Sequence, residues 1–210
     1  MDNKSTDDKL KKIFTWLTIV GGVVVLALLL VYAPDGKELS VPAMDNLAVP
    51  VSETKTEETL QKEEGIKKEL KGIEFFPEEG RTHIPKDTRV TYKTNPPTSG
   101  FHYDKWLPPA VYGEDKAVPE LLVHNLEHGN AVIYFDRASL RPKDIEALLM
   151  LPRKHAGQWD GVVLVDKKGM EPPIILTAWR TSLALKEYDS AKISAFLDAF
   201  LGRGPENPVR

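Results

Sequence analysis

Two of the five histidines in this 210-residue chain lie four positions apart, in Val123-His124-Asn125-Leu126-Glu127-His128-Gly129, with a carboxylate between them. On a helix, residues at i and i+4 share a face one turn apart, so both imidazoles can turn toward one ion while Leu126 points elsewhere. Imidazole donors suit zinc, copper, iron or nickel, whereas hard cations such as magnesium want oxygen. His102 stands among aromatics in Phe101-His102-Tyr103-Asp104-Lys105-Trp106, and His83 stands in Thr82-His83-Ile84-Pro85, extended before its proline. The expected metal ligands are therefore His102, His124, His128 and His83. Glu127 and Asp104 are the carboxylates that would orient or supplement them, and Met170 is a further soft donor. The chain contains no cysteine, which removes thiolate ligands, disulfides and cysteine nucleophiles together. With histidine and methionine left, copper is a natural candidate and zinc its equal alternative. His155, in Arg153-Lys154-His155-Ala156-Gly157, reads as part of a solvated turn.

Other chemistries fit the same residues less well. His124-Asn125-Leu126-Glu127-His128 satisfies H-x-x-E-H, in which two histidines bind zinc and the glutamate activates a water. Gly129 closes that helix at once, so the long helix of such peptidases is missing. A small zinc hydrolase with Glu127 as its catalytic base is thus the lesser alternative. Ser99 lacks the G-x-S-x-G elbow of a hydrolase nucleophile, and Thr98 or Ser99 is expected to bond its own turn. The competing non-enzymatic reading makes the histidines structural, bonded to backbone or carboxylate. The protein would then be an envelope interaction module whose Pro-Pro-Thr-Ser-Gly loop and aromatics dock a protein partner. A net charge of -3, with no dense Lys/Arg block, excludes a nucleic-acid binder.

The elements that must position these residues follow from local pattern. Pro119 suits the first turn of a short helix and Gly129 its end. The apolar, β-favouring run Ala131-Val132-Ile133-Tyr134-Phe135 comes directly after. Val90-Thr91-Tyr92 is a short β-favouring piece, and Asn95 to Gly100 is a rigid proline loop. A helix is expected over 144–151, with Ile145, Leu148 and Leu149 as its apolar stripe. Strands are expected over 161–165 and 174–179, and the clearest helix over 190–201, capped by Asp189 or Ser190 and stopped by Gly202. Trp106, Trp159 and Trp179 are expected as packing rings. The order implies a single α/β or α+β domain, a small central sheet with flanking helices.

Composition divides the chain further. Ile13 to Tyr32 carries no charge over a length that matches a hydrocarbon core, and Lys9, Lys11 and Lys12 precede it. It reads as a single-pass transmembrane helix, with residues 1–12 cytoplasmic and the rest extracytoplasmic. A cleaved signal peptide is the competing reading, opposed by Pro34 directly after Ala33. Residues 33–71 read as a charged, solvated linker in which 57–70 has the makings of a charged helix. The folded domain is expected over 72–210.

Several segments together resemble a known family. Asn95-Pro96-Pro97-Thr98-Ser99-Gly100-Phe101-His102-Tyr103, Trp106, Val111-Tyr112-Gly113, Leu122 to Gly129 and Leu176-Thr177-Ala178-Trp179 are similar to the bacterial domain of unknown function 3105. The resemblance covers roughly residues 72 to 201. It implies a membrane-anchored envelope protein with the domain outside, and it carries no established activity. His102, His124 and His128 fall in the family's motif positions, and His83 in a looser one.

Overall fold

The run Ala131–Phe135 has no polar residue because both of its faces are covered. It forms β3, the fourth strand in a six-stranded sheet ordered β1-β6-β5-β3-β4-β2. A computed structural model describes residues 56–210. The expected cytoplasmic segment 1–12, the membrane helix 13–32 and residues 33–55 of the linker lie outside the described residues. Among those described, no helix is long and apolar enough to cross a membrane.

In chain order the elements are α1 (Glu57–Glu69), β1 (Ile73–Phe75), β2 (Val111–Gly113), α2 (Pro119–His128) and β3 (Ala131–Phe135). A 3-10 turn at Arg137–Ser139 then leads to α3 (Pro142–Leu149), α4 (Leu151–Lys154), β4 (Val162–Asp166), β5 (Ile174–Ala178), β6 (Thr181–Leu185) and α5 (Ser190–Phe200). β4 pairs parallel to both β2 and β3, while β3-β5, β5-β6 and β6-β1 are antiparallel. The fold is α+β, a single mixed sheet with helices on both faces.

Side-chain alternation along β3 decides what lies on each face. Ala131, Ile133 and Phe135 point into a core with Leu164, Leu176, Leu148 of α3 and Ile193, Phe196 and Leu197 of α5. Val132 and Tyr134 point the other way, into a smaller core with Val163, Val165 and Leu122 and Leu126 of α2. Phe196 is fully buried, and its truncation to alanine would cost about 3–5 kcal/mol.

Several local expectations change once long-range pairing is seen. Val90-Thr91-Tyr92 forms no strand. The Val90 amide donates instead to the Glu120 carboxylate at 3.1 Å, because no neighbouring strand lies alongside. The run at 174–179 stops at Ala178 and turns through Arg180, at φ 61°, into β6. α1 is a helix capped by the Thr56 hydroxyl, and Leu70 just beyond it is 2 % exposed within the larger core. The packed chain therefore reaches back before Gly72.

Candidate metal centre

α2 presents two faces with different tasks. Leu122 and Leu126 press on the sheet, and His124, Glu127 and His128 face the loops at 82–106 and the C-terminal tail. The helix starts at Pro119, whose missing N–H is no loss at that position. Gly129 ends it at φ 98°, its amide donating back to the Asn125 and Leu126 carbonyls. That left-handed conformation favours glycine, and a Cβ there would also meet the Gly204 amide nitrogen at 2.6 Å. As the spacing predicts, His124 and His128 share a face, with Nε2 to Nε2 at 3.0 Å.

The other histidines arrive on loops docked to this helix. The Asn125 side chain accepts from the Leu107 amide at 3.0 Å and donates to the Leu107 carbonyl at 2.7 Å, clamping the aromatic loop to α2. The Tyr103 amide donates to the Glu120 carbonyl, and the Tyr103 carbonyl accepts from Nδ1 of His124 at 2.6 Å. His83 and His102 lie side by side in a parallel bridge, with the His102 amide donating to the Thr82 carbonyl and the Ile84 amide to the His102 carbonyl. His83, His102 and His124 form a triangle with ring centroids 5.0 Å apart on every side. Each offers a ring nitrogen within 4.8 Å of the others.

Backbone carbonyls set the tautomers. Nδ1 of His102 faces the Gly100 carbonyl at 2.8 Å, and a carbonyl only accepts, so Nδ1 of both His102 and His124 carries the proton. Their lone pairs are consequently on Nε2. Metal-bound imidazoles are commonly held in this way, by a partner on the distal nitrogen. Nε2 of His102 lies 2.9 Å from Oε2 of Glu127, and with the proton on Nδ1 both atoms can only accept, so this fully buried nitrogen makes no hydrogen bond. An unpaired buried donor set costs stability unless something else satisfies it.

Burial pushes the pKa of His124 down, with the neighbouring His102 and His83 adding to the effect and the Tyr103 carbonyl opposing it. His128 is pushed down to about 4, first by burial and then by His124. The Gln158 backbone opposes this shift, although Nδ1 of His128 has no partner of hydrogen-bond geometry. Burial raises the Glu127 carboxyl, but the His102 contact and the three nearby imidazoles reverse it, leaving Glu127 below its ordinary value. His124 and His128 are thus favoured as neutral imidazoles and Glu127 as an ionised carboxylate, the protonation that a divalent cation requires.

Of the residues expected from sequence, His83, His102, His124 and His128 come together, and Glu127 sits against His102. Asp104 is exposed and joins neither group of potential ligands. Ser99 is buried, and its hydroxyl accepts from the Glu79 amide at 3.0 Å rather than from its own turn. Trp106 and Trp159 do pack, but against the site: they flank His128 at centroid distances of 4.5 and 4.2 Å.

Glu206 escaped the sequence reading. Its Oε2 lies 3.1 Å from Nε2 of His128, and His124, His128 and Glu206 form a second group of potential ligands. The tail delivers it through the Gly202 amide bonded to the Gly129 carbonyl and the Glu206 amide bonded to the Glu127 carbonyl. A Cβ on Gly204 would collide with the Glu127 carbonyl and the Gly129 amide, so only glycine allows this approach. Gly202 and Gly204, just before Pro205, were the one local hint, and nothing local says what they touch.

No curated protein and no solved structure proved similar to the chain. Residues 83–210 match the family described as a protein of unknown function, DUF3105, a span that holds every histidine named above together with Glu127 and Glu206. The match covers more than half of the sequence, and the chain belongs to the DUF3105 family.

Proposed function

We propose that this protein is a single-pass membrane-anchored, extracytoplasmic domain that binds zinc or copper through His83, His102, His124 and His128, with Glu127 as a supplementary carboxylate beside His102. The observation that carries the reading is the pair of buried imidazoles, His102 and His124, whose Nδ1 protons are committed to backbone carbonyls so that Nε2 is left as the donor. A nitrogen-rich set with carboxylates and no thiolate suits zinc or copper(II) rather than magnesium or calcium. The envelope location is supported by the uncharged run 13–32 with lysines before it. Glu127 lies against Nε2 of His102, the donor nitrogen itself, so its carboxylate is placed to supplement the imidazoles at the ion, while the Gly100 carbonyl orients the ring. Pro96 to Gly100 are buried, so this loop offers no docking surface and lends nothing to the interaction-module reading.

The test is elemental analysis of the purified full chain after loading with zinc or copper and removal of free ions. The expected result is near-stoichiometric metal, lost in His124→Gln. A wild-type chain that keeps its circular dichroism and holds no metal would refute the proposal.

A further inference from the structure

The donors His83, His102, His124, His128 and Glu206 do not close into one ring. Two groups of three can be drawn among them, His83-His102-His124 and His124-His128-Glu206, with His124 common to both. Building on the metal-binding reading above, we propose that these are two alternative stations for one ion, which passes between them by exchanging partners around His124.

Three observations lead there. Nδ1 of His124 is committed to the Tyr103 carbonyl, so His124 has a single lone pair, on Nε2, and cannot serve both stations at once. The second station is already close to a ligand geometry. Its donors are 3.0 Å apart between His124 and His128 and 3.1 Å apart between His128 and Glu206. Metal bonds of about 2.0–2.1 Å in a tetrahedron set donors roughly 3.3 Å apart, so those two pairs need shifts of only a few tenths of an ångström, and His124 and Glu206 lie within 4.8 Å of each other. Finally, each station joins two buried imidazoles to one exposed ligand. His102, His124 and His128 are buried, whereas His83 is exposed and the Glu206 side chain is 42 % exposed. A closed structural site would bury every ligand. These two groups instead each open to water through one exposed member and join at the buried His124, the layout of a site that takes an ion on one side and yields it on the other.

The experiment is a double-mutant cycle on the full chain in detergent, using His83→Gln and Glu206→Gln. Both side chains are exposed, so neither substitution disturbs the core, and circular dichroism checks each variant. Zinc affinity is measured by competition with a chromophoric chelator, and His124→Gln is carried alongside. With two alternative stations, the exposed ligand of the weaker one costs at most about twofold when removed alone, yet more than about tenfold once the other station has been removed. His124→Gln loses both stations, matching or exceeding the double variant. Costs of His83→Gln and Glu206→Gln that simply multiply would overturn the two-station arrangement and leave the metal-binding reading intact. A wild-type chain that takes up no zinc or copper would overturn both.

Discussion

Acid should weaken the metal-free protein through His128 in particular, and by a calculable amount. Its ring is 2 % exposed and its folded pKa is pushed down to about 4, whereas the unfolded chain binds the same proton at the ordinary 6.5. Because the unfolded state takes up the proton first, the stability that His128 confers is complete above that ordinary value. It drains away as the pH falls toward the folded value. The full difference corresponds to roughly 3 kcal/mol, and on moving from about pH 8 to about pH 5 the loss from this group alone is about 2 kcal/mol. Glu206 is the nearest opposing charge, at 3.1 Å, and its exposure to water limits how far it offsets the burial. The His124 shift has the same sign and adds to the wild-type loss. The assay is urea unfolding of metal-free wild type and His128→Asn at both pH values, read by tryptophan fluorescence, since Trp106 and Trp159 pack on His128. Wild type should lose about 2 kcal/mol more than the variant. Equal losses in the two proteins would refute the assignment of a buried, neutral His128.

Other consequences are as direct. Gly204→Ala drives a methyl into the α2 terminus and should cost about 1–3 kcal/mol, seen as a lower melting temperature. Asn125→Ala strands the Leu107 amide and carbonyl and should cost about 2–4 kcal/mol, while Asn125→Asp, which still accepts but cannot donate, should recover part of that. Glu127→Gln should leave the fold unchanged and weaken zinc about 10–100-fold by competition titration, and an unaltered affinity would remove the Glu127 carboxylate from the site.

What could be read in advance was whatever depends on neighbours in sequence. The shared face of His124 and His128, the proline start and glycine stop of α2, β3, and the apolar stripe of α5 with its Asp189 cap are all set within a turn or two. β1 and β2 are three residues each, too short for any period, and exist because β6 and β4 offer them edges. The helix over 57–69 has no buried residue of its own, so its composition alone was equally that of a solvated spacer. His102 was legible as a type of residue in a type of loop, but its place beside His83 depends on a bridge between segments nineteen residues apart. Glu206 was invisible for the same reason in stronger form. Its partner His128 lies on an element 78 positions away, and exposed glutamates are everywhere. Asp104 failed for the opposite reason: it was close in sequence to His102, and the loop turned it outward.

The tail that carries Glu206 is held to α2 through main-chain amides at Gly202 and Glu206, and Val209 closes back on Gly202. With Glu206 as a ligand, as proposed, the ion would grip the local opening equilibrium of residues 202–210, because opening would first have to release the metal bond. Amide hydrogen exchange at Glu206 and Val209 should therefore slow when zinc is added, while exchange at β3, governed by global unfolding, changes much less. Residues 202–210 would then act as a gauge of occupancy, tightened by the ion and loosened by its departure, legible to whatever meets that surface.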